Sequence, residues 1–409
     1  MKRKSLQQEA LVSSICREVK KKGDKALLKF TETFDKVKLE NLEITDKEIE
    51  AAYGQVGKET LAALTLAKRN VEKLSKRQMR QFGDFELQIV KGVTITQKTI
   101  PVARVGIYVP GGNFPLPSTV IMAAVPATVA GVEKIILCSP PSYKGSISPV
   151  ILVAADLCGV QKIFRVGGAH AIAAMAYGTE TIPKVDKIAG PGNRFVTAAK
   201  KFVYGDVGID MLAGPSEILV IADESADSGA VAADLLSEAE HDEDAVPVLI
   251  TNSKTVARET GKEVTKQLKR LKTSRTARSA VQSNLKIILV KTAGEAVRLA
   301  NELASEHIEL QVKDPRKYRG LRNYGTLFAG YYSANMLGDY VTGSNHILPT
   351  GGSARFSSVL SVKDFILIRA GQYVTRKGFD TVSKQAIQLA EVEGLDAHKK
   401  SAVMRLMKQ

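Results

Sequence analysis

Short apolar segments alternate with helical segments from Gly106 to about residue 330, and this alternation limits the fold more than any other feature of the 409-residue sequence. The first part of this stretch predicts strands at 107–109, 135–138, 162–166, 187–189 and 218–221. The segments between them predict helices at 118–130, 149–157, 169–177 and 194–204. Short buried strands joined by helices are typical of a parallel sheet covered on both faces.

A second series of strands, at 246–250, 286–290, 308–312 and 326–328, predicts a second lobe of similar construction. The first 80 residues carry apolar side chains at helical spacing, with Asp46 as an N-cap, whereas residues 85–90 and 93–97 alternate as strands do. Residues 383–407 predict helix again. The predicted fold class is therefore α/β, with two Rossmann-like parallel-sheet lobes, an N-terminal helical segment and a helical C-terminal tail.

The net charge of +15 comes from 58 Lys and Arg residues against 43 Asp and Glu residues. Such an excess indicates affinity for nucleic acid, affinity for an anionic ligand such as a dinucleotide, or a solvated basic surface. The basic residues are spread through amphipathic helices, most densely at 262–278, which favours the solvated surface. We therefore expect no nucleic-acid partner.

The three cysteines, Cys16, Cys138 and Cys158, have no metal-type spacing, and their odd number fits a reduced cytoplasmic protein. Cys138 ends an apolar run, so a buried strand residue is favoured over a catalytic thiol. The N-terminus lacks the apolar segment of a signal peptide, and no stretch reaches about 18 apolar residues without Pro or charge. The sequence predicts no membrane span.

Residues 337–352 form a turn-rich loop with four glycines and one proline, and its ionisable side chains are Asp339, Tyr340 and His346. Glycine and proline permit backbone conformations that hold side chains at irregular positions. The chain has only five histidines, and each lies near a carboxylate or in a glycine-rich turn. A half-buried structural role explains any one of them, but the joint pattern indicates chemistry.

Glu238 and His241 are three residues apart in a helical segment, so the sequence places a carboxylate and an imidazole on one helix face. With Asp339 and one further histidine, they provide enough oxygen and nitrogen donors for Zn²⁺ or a similar metal. The alternative is an ordinary surface pair on a helix.

Glu306 and His307 open the strand predicted at 308–312. Because neighbours on an extended chain diverge, the pair suits two separate proton-transfer steps rather than one relay. The alternative is a histidine favoured by the C-terminus of a helix.

Three glycine-rich turns, at 108–112, 166–170 and 189–193, each follow a strand and precede a helix. Backbone amides and helix N-termini at the carboxyl ends of parallel strands bind anions such as the phosphates of a dinucleotide. The chain has no Walker A sequence and no complete Gly-x-Gly-x-x-Gly, so tight structural turns are an equal alternative.

These segments resemble the histidinol dehydrogenase family from about residue 5 to the C-terminus, in the family's order and near its spacing. The motifs that carry the resemblance are Tyr108-Val-Pro-Gly-Gly, Ala189-Gly-Pro-Gly-Asn, Ala213-Gly-Pro-Ser-Glu, Leu236-Ser-Glu-Ala-Glu-His, Ser305-Glu-His, Gly338-Asp-Tyr with Asn345-His-Ile-Leu-Pro-Thr, and Asp396-Ala-His-Lys. The implied activity is NAD-dependent, four-electron oxidation of L-histidinol to L-histidine through bound L-histidinaldehyde, the last steps of histidine biosynthesis.

The resemblance implies that Glu306 and His307 are the acid–base pair. It also implies that one Zn²⁺ per subunit is bound by Glu238, His241, Asp339 and His398. The substrate would contact these four ligands, His307, and three further residues: Ser216, His346 and Glu393. NAD would lie on Tyr108, His170 and Asn193.

In this family the tail of one subunit completes the site of the other, so the resemblance implies an obligatory homodimer with Glu393 and His398 acting in the other subunit's site. The implied domains are an N-terminal helical segment at 1–21, a discontinuous first α/β lobe at 22–104 plus 219–360, a second, NAD-binding lobe at 105–218, and a tail at 361–409.

Two positions depart from the family's usual pattern, because Glu238 and His170 stand where it usually has Gln. A carboxylate still binds a metal and adds negative charge, whereas the imidazole alters the expected contact with NAD. The nearest alternative is a relative that oxidises another small diol, such as a sulfonated propanediol, although Glu393 would repel a sulfonate. A metal-binding or nucleic-acid-binding module without NAD turnover is the alternative from another class.

Overall fold

The computed structural model describes residues 2–111 and 114–407, with side chains from residue 7 onward. The chain forms two compact units. The first comprises Met1–Met79 and Val102–Phe365, and the second comprises Arg80–Pro101 and Ile366–Gln409. The domain boundaries implied by the resemblance divide the chain differently and stay a prediction.

Four helices begin the chain: α1 (Lys2–Lys22), α2 (Asp24–Phe34), α3 (Asp46–Tyr53) and α4 (Lys58–Met79). The N-cap of α3 is Thr45, whose hydroxyl accepts from the N–H of Glu48 while the Glu48 carboxylate accepts from the N–H of Thr45. This capping box satisfies two N–H groups that have no partner within the helix. The predicted N-cap, Asp46, is wrong by one residue, because it is the first residue of the helix.

Two strands of the second unit follow, β1 (Phe85–Val90) and β2 (Val93–Pro101). They pair as an antiparallel hairpin, which confirms the strands predicted from their alternating residues. Gly92 lies in the tight connection between them with a φ of 84°, a conformation that favours glycine.

The first parallel sheet of the first unit has the order β5-β4-β3-β6-β7. Its strands are β3 (Arg104–Tyr108), β4 (Lys134–Cys138), β5 (Lys162–Phe164), β6 (Lys187–Ala189) and β7 (Gly208–Ile209). The connecting helices are α5 (Pro117–Ala130), α6 (Pro149–Leu157), α7 (Gly168–Tyr177) and α8 (Arg194–Val203). The four predicted helices and the first four predicted strands are confirmed, and Cys138 is a buried strand residue as expected.

The second parallel sheet has the order β10-β9-β8-β11-β12. Its strands are β8 (Glu217–Ala222), β9 (Val246–Thr251), β10 (Lys286–Leu289), β11 (His307–Gln311) and β12 (Thr326–Ala329). The helices are α9 (Ser228–Ala239), α10 (Lys254–Leu268), α11 (Ser274–Asn284) and α12 (Ala293–Leu303). The second series of strands is confirmed. The grouping of 218–221 with the first series is wrong, because β8 pairs with β9 and β11.

The two sheets have the same topology. In each, the first strand lies in the centre, the next two strands lie on one side, and the last two lie on the other. The direction of winding therefore reverses between β3 and β6 in the first sheet and between β8 and β11 in the second. Such a reversal opens a crevice between the loops and is the usual place for a ligand in an open parallel sheet.

After β12 the first unit continues into the short helix α13 (Asn335–Tyr340). Residues 341–352 form an irregular loop, and two 3₁₀ turns follow at Ser353–Arg355 and Val362–Phe365. The loop with four glycines predicted at 337–352 thus begins inside a helix.

Three elements complete the second unit: β13 (Ile366–Val374), α14 (Arg376–Val392) and α15 (Asp396–Met407). The predicted helical tail is confirmed. β13, which pairs antiparallel with β2 from Ile366 opposite Pro101 to Val374 opposite Val93, was not predicted. Most of its residues are exposed, so its sequence lacks the apolar alternation of a half-buried strand. Among the helices formed by residues 2–111 and 114–407, none combines the length and apolar character needed to cross a membrane.

Candidate active site

Ionisable side chains of the first unit collect at the amino edge of the second sheet. Glu217 begins β8 and His307 begins β11, and the strand register places His307 opposite Ile218. Glu306 therefore lies level with Glu217. Both Glu306 and His307 are buried, with 6% and 3% of their surface exposed. Neighbouring parallel strands thus bring an acid and an imidazole to one edge of the sheet.

The imidazole of His307 has one bonded nitrogen and one free nitrogen. Nδ1 donates to the backbone carbonyl of Glu217 at 3.1 Å, because a carbonyl oxygen can only accept. Nε2 is buried without a hydrogen-bond partner among the described residues, and in the neutral ring it carries the free electron pair. The ring also stacks on Phe328, with centroids 5.9 Å apart. One tautomer is therefore fixed, and Nε2 is available to take a proton or to bind a metal.

Three carboxylates surround this imidazole. An oxygen of Glu238 lies 3.6 Å from Nδ1, an oxygen of Glu306 lies 3.8 Å from Nδ1, and an oxygen of Asp339 lies 3.5 Å from Nε2. The Glu306 carboxylate also accepts from the N–H of Glu217 at 2.9 Å. Within residues 2–111 and 114–407, the ion pairs of these three carboxylates are with His307 alone. In that part of the chain, no lysine or arginine pairs with the cluster.

Burial and crowding shift the pKa values of this cluster. Burial raises the pKa of Glu306 well above its ordinary value, and the charge of Glu238 adds to the effect although His307 opposes it. Burial lowers the pKa of His307, but the surrounding carboxylates outweigh it, so that pKa is raised well above its ordinary value. Burial also acts to raise the pKa of Asp339, yet His307 prevails and lowers it. Buried carboxylates packed this closely stay partly protonated unless a bound cation balances their charge.

Asp339 reaches His307 because α13 lies close to β12. A Cβ atom on the preceding residue, Gly338, would be 2.5 Å from the ring of Phe328. Only a glycine lets the helix approach that ring, and the same ring stacks on His307. The glycine before Asp339 is thus a requirement of packing at the site.

His241 lies outside α9. The prediction that Glu238 and His241 share one helix face is wrong, because α9 ends at Ala239 and Glu240 is its C-cap. Glu238 is buried, whereas His241 is exposed in the turn that follows. The contribution of His241 to a metal site stays a prediction.

The loop after α13 fixes His346 through both ring nitrogens. Nδ1 donates to the carbonyl of Asp339 at 2.9 Å, and Nε2 accepts from the hydroxyl of Thr119 at 3.2 Å. Removal of the ring from water lowers its pKa, although Asp339 opposes the effect. A neutral His346 therefore ties the segment that carries Asp339 to the start of α5.

Glu238, Glu306 and His307 place one donor atom each within 4.8 Å of one another, and all three residues are buried. Carboxylate oxygen and imidazole nitrogen are donors that Zn²⁺ and similar metals accept. A cation would also satisfy the unpartnered Nε2 and the unbalanced negative charge. The residues present therefore fit a metal ion, although this group shares only Glu238 with the set implied by the resemblance.

The remaining predicted substrate and metal residues lie in two places. Ser216 is half-buried directly before β8, and its carbonyl accepts from the N–H of Val246 at 2.9 Å. Glu393 and His398 belong to the second unit, where Glu393 is the C-cap of α14 and His398 lies in the first turn of α15. Both are exposed, and their contribution to a site stays a prediction.

The glycine-rich turns lie at the carboxyl edge of the first sheet. The first turn is described up to Gly111, since Gly112 lies outside the described residues. Tyr108 connects this turn to the second one, because its buried hydroxyl accepts from the N–H of Gly168 at 3.0 Å. Burial is the main reason that the pKa of Tyr108 is raised. This tyrosine is therefore a neutral part of the framework of the turns.

The third turn requires Gly190 and begins a capped helix. The φ of Gly190 is 119°, and a Cβ atom there would lie 2.1 Å from the carbonyl oxygen of Tyr108. Asn193 caps α8, since its Oδ1 accepts from the N–H groups of Phe195 and Val196. Its side chain is exposed, so it remains accessible to a ligand at the N-terminus of α8.

His170 is packed against α2. Only 2% of the residue is exposed, its Nε2 lies 3.4 Å from the hydroxyl of Thr31, and its ring lies 5.9 Å and 6.1 Å from those of Phe30 and Phe34. Burial lowers the pKa of His170 to about 3, so the ring is neutral. These contacts are structural, and the predicted contact with NAD stays a prediction.

A buried ion pair between Lys200 and Asp210 holds the third turn, and it was not predicted from the sequence. The two side chains are 3% and 0% exposed. Lys200 donates to the carbonyl of Gly190 at 3.0 Å, and Asp210 accepts from the N–H of Gly190 at 2.8 Å. Both polar groups of Gly190 are therefore bonded to the ion pair. Neither residue lies in a recognisable motif, so only the tertiary structure brings them together.

A family model that describes histidinol dehydrogenase matches residues 1–406, which include both parallel sheets and nearly all of the second unit. The chain belongs to the histidinol dehydrogenase family. The family assignment made from the motifs is confirmed, and the chain is an oxidoreductase.

Individual relatives agree over nearly their full length. Histidinol dehydrogenase of Clostridium acetobutylicum is 47% identical over 395 residues, which cover 96% of this chain and 91% of the relative. That of Listeria monocytogenes is 46% identical over 403 residues, which cover 98% and 93%. The crystal structure of histidinol dehydrogenase from Elizabethkingia anophelis has a TM-score of 0.92 at 39% identity and covers 97% of this chain and 92% of that one. The predicted fold class is confirmed.

The two departures from the histidinol dehydrogenase pattern are both buried. Glu238 and His170 each have 2% of their surface exposed. Each also has a polar partner in this chain, since Glu238 accepts from the amide of Asn335 and His170 contacts Thr31. The replacements are therefore built into the interior.

Proposed function

We propose that the protein oxidises L-histidinol to L-histidine with NAD, in two successive two-electron steps through bound L-histidinaldehyde, and so completes histidine biosynthesis. The observation that carries this proposal is the buried imidazole of His307. Its Nδ1 is bonded, its Nε2 has no hydrogen-bond partner among the described residues, and three carboxylates lie 3.5–3.8 Å from its nitrogens. We place the reaction in the cytoplasm, where the three free, buried cysteines stay reduced.

His307 is the general base of the first oxidation. Its Nδ1 proton is held by the Glu217 carbonyl, so Nε2 takes the hydroxyl proton as the alcohol becomes the aldehyde. The carboxylates around His307 raise its pKa despite burial and so stabilise the imidazolium that forms. The positive charge of a bound cation would offset these carboxylates and so leave Nε2 unprotonated before the reaction.

Glu306 acts in the second step. Its carboxylate is oriented by the N–H of Glu217 at 2.9 Å and lies 3.8 Å from His307, beyond hydrogen-bond length. It takes a proton from the water that adds to the aldehyde, while the aldehyde oxygen receives the proton that His307 holds from the first step, and the resulting hydrate is then oxidised to the acid. Separate positions for the two groups support two separate proton transfers.

The metal would be held by Glu238, His241 and Asp339 of one subunit and by His398 of the other. Support comes from the buried donor atoms of Glu238, Glu306 and His307 and from the negative charge of the carboxylates around His307. When bound, the metal supplies a positive charge that fixes the imidazole and amine of the substrate. Besides these four residues, the substrate would contact His307, Ser216, His346 and Glu393.

The cofactor would lie on Tyr108, His170 and Asn193 at the carboxyl edge of the first sheet. Three glycine-rich turns meet there, and the positive end of the α8 helix dipole would favour an anion. When bound, NAD accepts the hydride in each oxidation. Tyr108 and His170 would act mainly by shaping the turns, because both are buried.

The active form would be a homodimer. Exposed apolar side chains on β1 of the second unit, Phe85, Leu87 and Ile89, are 49%, 54% and 56% exposed, and a second copy of the chain would cover them. We expect complementation when the variants H307A and H398A are mixed. A heterodimer would then contain one intact site, with His307 from one chain and His398 from the other. Heterodimers without any regained activity would contradict shared sites.

The activity is tested by incubating the zinc-loaded protein with L-histidinol and NAD⁺, following NADH absorbance and assaying histidine. We expect about two NADH for each histidine, since four electrons leave the substrate, and we expect loss of turnover in H307A and after EDTA treatment. The absence of NADH from folded, zinc-bound wild-type protein would overturn the proposal.

A further inference from the structure

Asn335 is a buried amide at the start of α13, and only 1% of its surface is exposed. Its Nδ2 donates to Oε2 of Glu238 at 3.3 Å. The hydroxyl of Ser237 lies 3.2 Å from its Oδ1 and 2.8 Å from the carbonyl oxygen of Asp234, so two acceptors share the one hydroxyl proton. Both ends of the amide therefore contact consecutive residues of α9, one of which is Glu238.

The chemistry of the pair fixes the direction of the Asn335 amide. An ionised carboxylate can only accept a hydrogen bond, so the nitrogen of the amide must face Glu238 and the oxygen must face the hydroxyl of Ser237. The bonded oxygen, Oε2, is also the Glu238 oxygen that lies 3.6 Å from Nδ1 of His307. The amide therefore holds the oxygen that faces the site.

Asn335 also belongs to the helix that carries Asp339. The two residues are four positions apart on α13, so they lie on the same helix face. Asp339 is directed at Nε2 of His307 at 3.5 Å, and Asn335 holds Glu238, which lies 3.6 Å from the same ring. One short helix thus carries one proposed metal ligand and positions another.

We propose that Asn335 is a positioning residue for the metal site, and that Glu238 and Asn335 form a matched carboxylate–amide pair whose chemistry can be exchanged between the two positions. The inference rests on the metal site of the proposed function. An exchanged pair keeps both the hydrogen bond and the net charge. In it, the amide introduced at position 238 would donate to the carboxylate introduced at position 335. The hydroxyl of Ser237 would lie beside the other oxygen of that carboxylate.

The test compares four proteins: wild type, E238Q, N335D and the double variant E238Q/N335D. Each substitution preserves the shape of the side chain. Zinc affinity of the metal-free proteins is measured by competition with a chromophoric chelator, and their melting temperatures are recorded. N335D should bind zinc about 10-fold to 100-fold more weakly, as is usual when a residue that orients a metal ligand is changed. E238Q changes a proposed ligand and should weaken zinc binding by at least about 10-fold. In N335D two carboxylates would face each other, and in E238Q one charge would be lost.

The double variant decides the question. The pairing predicts zinc affinity within about 3-fold of wild type, whereas independent effects would multiply to a loss of at least about 100-fold. S237A is the matched control, since it keeps the bond between Asn335 and Glu238, and it should bind zinc within about 3-fold of wild type.

A double variant weaker than either single variant, or an N335D protein with wild-type affinity, would overturn the pairing. If N335D does not fold, N335A replaces it, and wild-type zinc affinity of N335A would overturn the positioning role. A wild-type protein that binds no zinc would overturn the metal site itself and the pairing with it. These outcomes separate a failure of the inference from a failure of the proposed function.

Discussion

The two parallel sheets of the first unit share one strand order, yet their functional groups lie at opposite edges. In the first sheet the glycine-rich turns follow β3, β5 and β6 at the carboxyl edge. In the second sheet Glu217 and His307 begin β8 and β11 at the amino edge. Ligands of open parallel sheets usually bind at the carboxyl ends of the strands, which is where the turns of the first sheet lie. The groups of the second sheet lie at the other end. Strand order alone therefore does not locate the chemistry, which depends on particular residues.

The two edges also differ in how they are built. Backbone groups dominate the first, where Gly190 is bonded on both sides by the Lys200–Asp210 pair. Side chains dominate the second, where three carboxylates surround one imidazole. An extended anionic ligand needs N–H groups, whereas proton transfer needs titratable side chains. The difference favours cofactor binding at the first edge and chemistry at the second.

Replacing His307, which lies at the second edge, should produce the largest effect on kcat. H307Q keeps a similar volume but cannot take a proton, so we expect kcat to fall about 10³-fold, within the range for a lost general base. Steady-state NADH production measures kcat, and the melting temperature confirms folding. A loss of less than about 10-fold in a folded protein would exclude His307 as the base.

The ion pair of the first edge should matter most for stability. K200M leaves the Asp210 carboxylate buried without a partner, so we expect the free energy of unfolding to fall by about 3–5 kcal/mol. K201M is the matched control, because the Lys201 side chain is 65% exposed, and it should change that free energy by less than about 0.5 kcal/mol. Chemical denaturation provides both values. Equal effects of the two substitutions would contradict a structural role for the buried pair.

Glycine-to-alanine substitutions, one at each edge, should affect cofactor binding and catalysis separately. G190A combines a φ of 119° with a backbone oxygen 2.1 Å from the new atom, so we expect it to cost about 3 kcal/mol and to raise KM for NAD. G338A meets a ring edge at 2.5 Å, which can shift. We expect it to cost about 1–2 kcal/mol and mainly to lower kcat, because that ring stacks on His307. The opposite pattern of KM and kcat would reverse the assignment of the two edges.

The smallest predicted effect concerns the isolated carboxylate of Asp35, whose charge helps to raise the pKa of Tyr108 at the first edge. Its Oδ2 is buried without a partner among the described residues, and burial raises the pKa of Asp35 to about 6. The pKa of Asp35 in the folded protein exceeds the value of about 3.9 in the unfolded chain. Its contribution to the free energy of unfolding is therefore fully present below about pH 4 and is lost as the pH rises through about 6. The free energy of unfolding of D35N should therefore exceed that of wild type by about 1 kcal/mol at pH 7, a value that allows for the partial exposure of Asp35. The difference should be smaller at pH 4.

Denaturation of wild type and D35N at several pH values between 4 and 7 measures this difference. A difference that does not change with pH would show that Asp35 titrates normally in the folded protein.

Most of the fold was predictable because its strands and helices are local patterns. The apolar strands 135–138 and 187–189 and the helix at 149–157 lie where their sequence places them. The sheet membership of β8 was not predictable, since it depends on pairing with β11 about 90 residues away. The exposed strand β13 was missed because it carries little apolar alternation.

The site was predictable where residues belong to a motif and unpredictable where contacts are tertiary. His307 and Asp339 were selected from the sequence, and the structure brings them to 3.5 Å. Glu217 was overlooked although it follows Ser216 in a quoted motif, because it acts through its backbone N–H and C=O. Asn335 lies 97 positions from Glu238, and no local pattern reveals such a pair.

Calorimetric titration of H307Q with NAD⁺ tests the central claim most directly. If the first edge binds the cofactor and the second performs the chemistry, H307Q should bind NAD⁺ within about 2-fold of wild type, a difference of about 0.4 kcal/mol, while its turnover is lost. A loss of NAD⁺ affinity as large as the loss of kcat would show that both functions depend on the second edge and would contradict the division.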